Sequence, residues 1–284
     1  MGLTFDDIRT FLEWRDRGAR FERVLTLGRQ SFSLTPADFK RLDLAVPADH
    51  KPNGYLDSFF ADVLGARDVI ALDLSDFEGA QLRHDLNDPL PAAHWGGFDA
   101  VIDGGTLEHV FNVPVALANC MRALNVGGRF FGANPANNLM GHGFYQFGPE
   151  LYYRVFSEEN GFRVERLELQ ESRYPSVERG FSRDLYDVVD PSVVRERVEL
   201  VCHQPAILRV VAYKNAEREP FAAWPQQSDY VNRWAGAGPQ APAGRSPVRA
   251  LLKSMLPHGI LSQYEGWRQL RHASLANRDF FRRR

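Results

Sequence analysis

The sequence predicts an α/β protein built on a mostly parallel sheet, and three observations predict it. Two short apolar runs, residues 69–72 and 100–102, each stop at an acid, Asp73 and Asp103. Buried runs that end abruptly on a carboxylate and a turn read as parallel strands whose carboxyl ends share one crevice. Between them, Asp85 lies in the polar run His84-Asp85-Leu86-Asn87. In open α/β sheets ligands bind at the carboxyl ends of the strands, so three acids delivered there mark a site for a polar, nucleoside-like ligand.

Composition sets the outer limits. The 284 residues suffice for one sizeable core and an appendage, and 44% hydrophobic with 25% charged residues is ordinary for a soluble chain. A net charge of −2 gives no general case for nucleic acid. The charge is uneven: residues 245–284 hold nine Lys/Arg and two acids, so that stretch carries +7 and the remainder −9. Cys120 and Cys202 sit in apolar surroundings and read as reduced thiols rather than a disulfide or metal site. No leader-like segment opens the sequence and no apolar run approaches the ~20 residues that span a bilayer, so a cytoplasmic location is expected.

In order, residues 4–19 read as a helix capped by Thr4 and Asp7, with Phe5, Ile8, Phe11 and Leu12 on one face. Residues 23–28 form the first strand, entering the turn Gly28-Arg29-Gln30-Ser31. Helical stretches follow at 37–42 and 55–64, then the strand ending at Asp73. Residues 98–103 are the next strand, and Gly104-Gly105-Thr106 lets the chain pass close to a ligand. Residues 113–124 have the helical period, ended by Gly127-Gly128, and 129–133 form the following strand. Residues 162–169 and 206–214 are the last two strands, paired antiparallel.

The order apolar strand–Asp, His-Asp-Leu-Asn-Asp-Pro-Leu-Pro, Phe-Asp-Ala-Val-Ile-Asp-Gly-Gly-Thr-Leu-Glu-His-Val, then Asn-Val-Gly-Gly-Arg-Phe-Phe-Gly-Ala-Asn-Pro resembles the class I S-adenosylmethionine (SAM) dependent methyltransferases. The nearest branch is the one encoded with bacterial surface-polysaccharide genes, and the resemblance covers residues 24–214. It implies a Rossmann-like seven-stranded, mostly parallel sheet with an antiparallel last strand, helices on both faces and a C-terminal helical tail. It further implies ribose held by Asp73 with Leu74 beside it, adenine met by Asp85 and the Leu86 backbone, and the methionine end or the acceptor beside Asp103 and Gly104. Asp73 reads equally as a turn cap, and Asp85 as an Asx-turn acid. The family's glycine-rich turn keeps only Gly28 here, with Gln30 and Phe32 aligned to further glycines. Either Arg29 and Gln30 give the cofactor polar contacts, or the domain has lost it. The first alternative requires Arg29, Gln30 and Phe32 to leave the hollow above the turn open. An NAD-dependent dehydrogenase is disfavoured by the failed glycine fingerprint. A nucleic-acid methyltransferase is disfavoured by the acidic core, and Asn134-Pro135-Ala136-Asn137 only partly echoes the tetrapeptide Asn-Pro-Pro-Tyr.

The candidate catalytic residues follow. His142, flanked by Gly141 and Gly143, is the preferred general base, because imidazole titrates near working pH. His109 reads as a second base or as a packing residue, and Glu108 as a partner of a helix dipole. Tyr145 joins Asn134, Asn137, Asn138 and Gln146 in a polar, aromatic loop suited to a hydroxylated acceptor, or bonded to itself. Asp103, Glu108, His109 and His142 show no recognised ligand spacing, so no metal is expected. The expected activity is O-methylation of a sugar, sugar nucleotide or surface-glycan precursor; the alternative is a silent methyltransferase-like module in a polysaccharide assembly complex.

Residues 1–216 thus read as the α/β domain, with its N-terminal helix in 1–21, and 217–247 as a linker with five prolines. Residues 248–284 read as a basic amphipathic tail, with Leu251, Leu252, Met255, Leu256, Ile260, Leu261, Tyr264, Trp267 and Leu270 at helical spacing. Such a tail suits an anionic membrane surface, a partner protein, a second copy of the chain, or its own domain. Arg173, Tyr174, Arg179 and Arg183 read as acceptor-facing or as a solvated excursion.

Overall fold

Strand β1 (Arg23–Leu27) sends Val24 to one face of its sheet and Leu25 to the other, as the two-residue period of a strand requires. β4 (Phe98–Asp103) and β5 (Leu124–Asn137) do the same with Val101 against Ile102 and Phe130 against Phe131. The core is therefore two layers, one on each face of a single sheet. The computed structural model describes residues 2–51, 53–55, 57–172, 184–236 and 258–284.

With β2 (Asp68–Asp73), β3 (Leu82–Arg83), β6 (Phe162–Glu171), β7 (Leu185–Val188), β8 (Ala206–Lys214) and β9 (Phe281–Arg283), the sheet has nine strands in the order β3-β2-β1-β4-β5-β8-β6-β7-β9. The first five pair in parallel, β8 runs antiparallel between β5 and β6, and β7 and β9 continue antiparallel beyond β6. The expected pairing of the strands at 162–169 and 206–214 is present. The seven-stranded expectation is corrected to nine strands by β7 and β9.

One layer is built by α1 (Phe5–Asp16), α2 (Pro36–Arg41) and α3 (Asp57–Asp62), whose Ile8, Phe11, Trp14, Phe39, Phe59 and Phe60 cover Val24, Ile102 and Phe131. The other is built by α4 (Val113–Ala123) and α5 (Pro149–Val155) over Leu25, Val101 and Phe130. Thr4 and Asp7 form the expected capping box at α1, the Thr4 amide donating to Asp7 Oδ2 at 2.8 Å. From the face of the sheet α1 reaches across to β8: buried Arg209 pairs with Asp7 and donates to Thr4 Oγ1 at 3.1 Å. At its front end, the Leu3 amide donates to the Ser31 carbonyl at 2.7 Å, joining α1 to the turn after β1.

Both cysteines are free thiols. The linker and tail need correction. Residues 217–236 contain α7 (Ser228–Trp234), with Ser228 bonded to Glu150 and Asp229 paired with Arg197. Beyond α6 (Pro191–Val194) and the solvent-facing α8 (His258–His272), the chain returns to the sheet as β9. Phe280 and Phe281 enter the core, Arg283 pairs with Asp184, and Arg284 pairs with Glu168. The terminal arginines therefore close the sheet edge against acids instead of forming a free basic tail. Ile260, Trp267 and Leu270 of α8 remain exposed, and no described helix is long and apolar enough to cross a membrane. The expectations for Arg173, Tyr174, Arg179, Arg183, Leu251, Leu252, Met255 and Leu256 lie outside the described residues.

Candidate functional site

Strand order reverses between β1 and β4, which opens the crevice between their carboxyl ends. Gly28 closes β1 with φ +69° and its amide on the Leu72 carbonyl, a conformation that a side chain would strain. A Cβ there would face Asp73 Oδ2 at 3.6 Å and Thr106 Oγ1 at 3.5 Å, so three strand ends meet at this glycine. Asp73 is half-buried, and its Oδ1 accepts from the Ser75 amide at 3.2 Å. Leu74 and Phe77 stand exposed on the loop beyond it. Asp85 forms an Asx turn: Oδ1 accepts from the Asn87 amide at 2.9 Å and side chain at 2.8 Å, which lowers its carboxyl from the ordinary value. Leu86 is buried beside it.

The turn after β1 divides its residues. Arg29 swings out, bonding Asp57 at 2.5 Å and the Glu78 carbonyl at 3.1 Å, with its guanidinium over Tyr55. Phe32 packs between Phe59 and Phe60. Gln30 turns inward. Its Nε2 donates to the carbonyls of Leu27 at 2.6 Å and Gly28 at 3.3 Å. Its Oε1 occupies the place a Cβ on residue 104 would take, with Leu3 alongside, and has no hydrogen-bond donor among the described residues. Gly104 is thus needed for close approach by Gln30 itself. Arg29 and Phe32 thus point away from Gly104, whereas the Gln30 side chain fills the space beside it.

On the other side of the crevice lies a buried acid network. Asp103 Oδ1 accepts from the Thr106 amide at 2.7 Å, and Oδ2 accepts from Asn134 Nδ2 at 2.6 Å. The same Asn134 nitrogen donates to Glu108 Oε2 at 3.0 Å, while Asn134 Oδ1 accepts from the Tyr152 hydroxyl at 2.6 Å. Burial raises both carboxyls, and the neighbouring Glu108 charge helps hold Asp103 up to about 7. Burial, then the His142 ring, lowers the His109 imidazole.

Glu108 Oε1 faces two imidazoles, His142 Nε2 at 3.4 Å and His109 Nε2 at 3.9 Å. The amide of Phe144 donates to the Glu108 carbonyl at 2.8 Å, and that carbonyl lies 2.7 Å from where a Cβ on residue 143 would stand. Gly143 is what lets the His142 loop sit on Glu108. The expected helix start at 107–110 is a separate 3-10 turn, Leu107–His109, so Glu108 serves this network and not the dipole of α4.

The remaining loop residues are self-bonded. Tyr145 donates from its hydroxyl to the Phe111 carbonyl at 2.8 Å, and so acts as a positioning residue. Asn138 holds the carbonyls of Cys202 and Gln204, and Gln146 holds the Leu139 amide. The network that joins Asn134, Glu108 and Tyr152 to Asp103 was not foreseen from the sequence. The pair of acids five residues apart, Asp103 and Glu108, with an asparagine at the next strand end was the available signal.

A pH dependence follows. The folded chain favours protonated Asp103, so this group stabilises the fold at low pH and the contribution falls away as pH rises from about 4 through 7. Between pH 6 and 8 the loss is on the order of 1 kcal/mol. Thermal unfolding at both pH values should show a larger drop for the wild type than for Glu108→Gln, which lacks the repelling charge; equal drops refute the assignment.

No protein-family model matches this chain, and no curated protein does. Among solved structures it is similar to a 1,6-didemethyltoxoflavin-N1-methyltransferase of Burkholderia thailandensis holding 1,6-didemethyltoxoflavin and S-adenosylhomocysteine, at 16% identity, TM-score 0.39, over 74% of this chain and 79% of that one. It is similar to an S-adenosylmethionine-dependent methyltransferase of Mesorhizobium loti at 17% identity, TM-score 0.37, covering 71% and 94%. An O-methyltransferase of a Brevibacillus brevis trans-AT polyketide synthase, solved with S-adenosylhomocysteine, matches at 11% identity, TM-score 0.35, covering 57% and 53%.

Proposed function

We propose that the chain is a SAM-dependent methyltransferase acting on a hydroxyl or similar small polar group of a sugar, sugar nucleotide or surface-glycan precursor. One observation carries the reading: the crevice has two chemically distinct ends. At the β2–β3 side are carboxylates, Asp73 and Asp85, placed to accept from ribose hydroxyls and an adenine amino group. At the β4–β5 side are Glu108, His109 and His142, able to orient an acceptor hydroxyl and take its proton. SAM supplies the electrophilic methyl, and the protein's work is to align the acceptor oxygen with it. Beside the imidazoles, Phe111 and Phe144 meet edge to face at 5.8 Å and stay mostly exposed, offering an apolar surface to sugar C–H groups.

Gln30 supports two readings. Its buried Oε1 lacks a donor, and the cofactor's ammonium is a donor of the right kind. As it stands, it also closes the crevice against Gly104, which favours the silent scaffold. Calorimetry with S-adenosylhomocysteine separates them. The enzyme reading expects saturable binding that weakens about 10- to 100-fold in Asp73→Ala, the worth of a charged hydrogen bond. Binding by Gln30→Gly alone favours the scaffold; no binding by either protein removes the cofactor from the proposal.

A further inference from the structure

We propose that Glu108, His109 and His142 together hold one divalent transition-metal ion, of the zinc or ferrous kind, at the solvent side of the crevice. Their ligand atoms all lie within 4.8 Å of one another. In a tetrahedral site with bonds of about 2.0 Å, ligand atoms stand about 3.3 Å apart. Glu108 Oε1 and His142 Nε2, at 3.4 Å, already have that spacing. The pair at 3.9 Å reaches it by a small turn of the more exposed His109 ring.

The second, independent observation is Glu108 itself. Its side chain is fully buried, yet Oε1, aimed at the two imidazoles, has no well-aligned hydrogen-bond donor among the described residues. A buried carboxylate oxygen left so is costly, and a cation removes the cost. Oε2 is meanwhile fixed by Asn134, so the carboxylate plane is set before any ion arrives. Among the described residues no Lys or Arg pairs with Glu108, and the groups facing its Oε1 are the two imidazoles.

The ligands are also preorganised and reachable. The Phe144 amide on the Glu108 carbonyl ties the His142 loop to the turn carrying the other two ligands. His109 and His142 are 47% and 27% exposed, so an ion has an entry path and would keep open coordination positions toward water or an acceptor oxygen. With the ion bound, His142 Nε2 would be a ligand and not a base, and the ion would acidify the acceptor hydroxyl in its place. Two imidazoles and one carboxylate suit zinc, iron or cobalt; magnesium and calcium take oxygen ligands. This proposed site departs from the expectation, drawn from sequence spacing, of no metal. The spacing in sequence concealed it because two ligands are adjacent and the third lies on the far side of β5.

The test is titration of Co2+ into the full-length, chelator-stripped chain, read by visible absorption, with Zn2+ competition. The expected result is one Co2+ per chain, displaced by Zn2+. His109→Ala, His142→Ala and Glu108→Gln should each weaken binding more than about tenfold, since even loss of an outer partner costs that much. His203→Ala, an exposed histidine elsewhere, should leave it unchanged. Both histidine variants alter partly exposed side chains, so circular dichroism should report a native fold. No absorption band, or affinities of both histidine variants within twofold of wild type, overturns the site. The readout uses no cofactor, so its failure leaves the crevice reading standing.

Discussion

Replacing His142 with alanine is expected to lower turnover by about 10²- to 10⁴-fold, the usual worth of a positioned acid–base group, while S-adenosylhomocysteine affinity stays nearly unchanged. The imidazole lies at the β4–β5 side of the crevice, facing Glu108 at 3.4 Å, across the strand order from Asp73 and Asp85. Losing it touches neither carboxylate assigned to the nucleoside. The measurement is S-adenosylhomocysteine formation from SAM with a panel of nucleotide sugars, run beside calorimetry on the same preparation. His142→Gln should be as slow, because an amide can hold the loop but cannot take a proton. Unchanged turnover in either variant removes His142 from the reaction.

Arg209→Ala is expected to cost about 3–5 kcal/mol of stability, the penalty for breaking a buried ion pair. Arg209 on β8 is buried, pairs with Asp7, and its Nε donates to Gln170 Oε1 at 2.9 Å. Gln170 in turn donates to Asp6 Oδ2 at 3.0 Å. Burial raises the Asp6 carboxyl and Arg209 is the leading influence lowering it again, so its loss leaves buried Asp7 without its ion pair and Asp6 with Arg9 as its remaining cationic partner among the described residues. Urea unfolding of Arg209→Ala and of Arg209→Met combined with Asp7→Leu checks this. The double variant removes both charges and should recover part of the loss. A single-variant cost below about 1 kcal/mol shows that the pair does not anchor α1.

The central parallel strands were legible because each is a short apolar run ended by a residue that cannot stay in the core, as at Asp73 and Asp103. Thr4 with Asp7 was legible because a capping box is local. β3 was legible only as the carrier of Asp85, and β9 was not, since three arginines after two phenylalanines read as a basic tail until Glu168 and Asp184 are seen opposite them. In the site, Asp73 showed itself by its place at a strand end. The bridging role of Asn134 depended on which acids stood across from it, a matter of tertiary distance. The inward turn of Gln30 depended on the Leu27 carbonyl being within reach, which no local pattern encodes.

The tie between α1 and β8 has a kinetic consequence. Arg209 and Asp7 are separated by 202 residues, and Arg209 and Thr4 by 205. Contacts so remote in sequence form late, because closing the intervening loop is slow. Helix α1, which precedes β8 by most of the sequence, is therefore among the last elements to be fixed in place, and through Leu3 and Ser31 the turn beside Gln30 waits with it. Refolding should thus regain the sheet before it regains the packing of α1 and of the turn at Gln30.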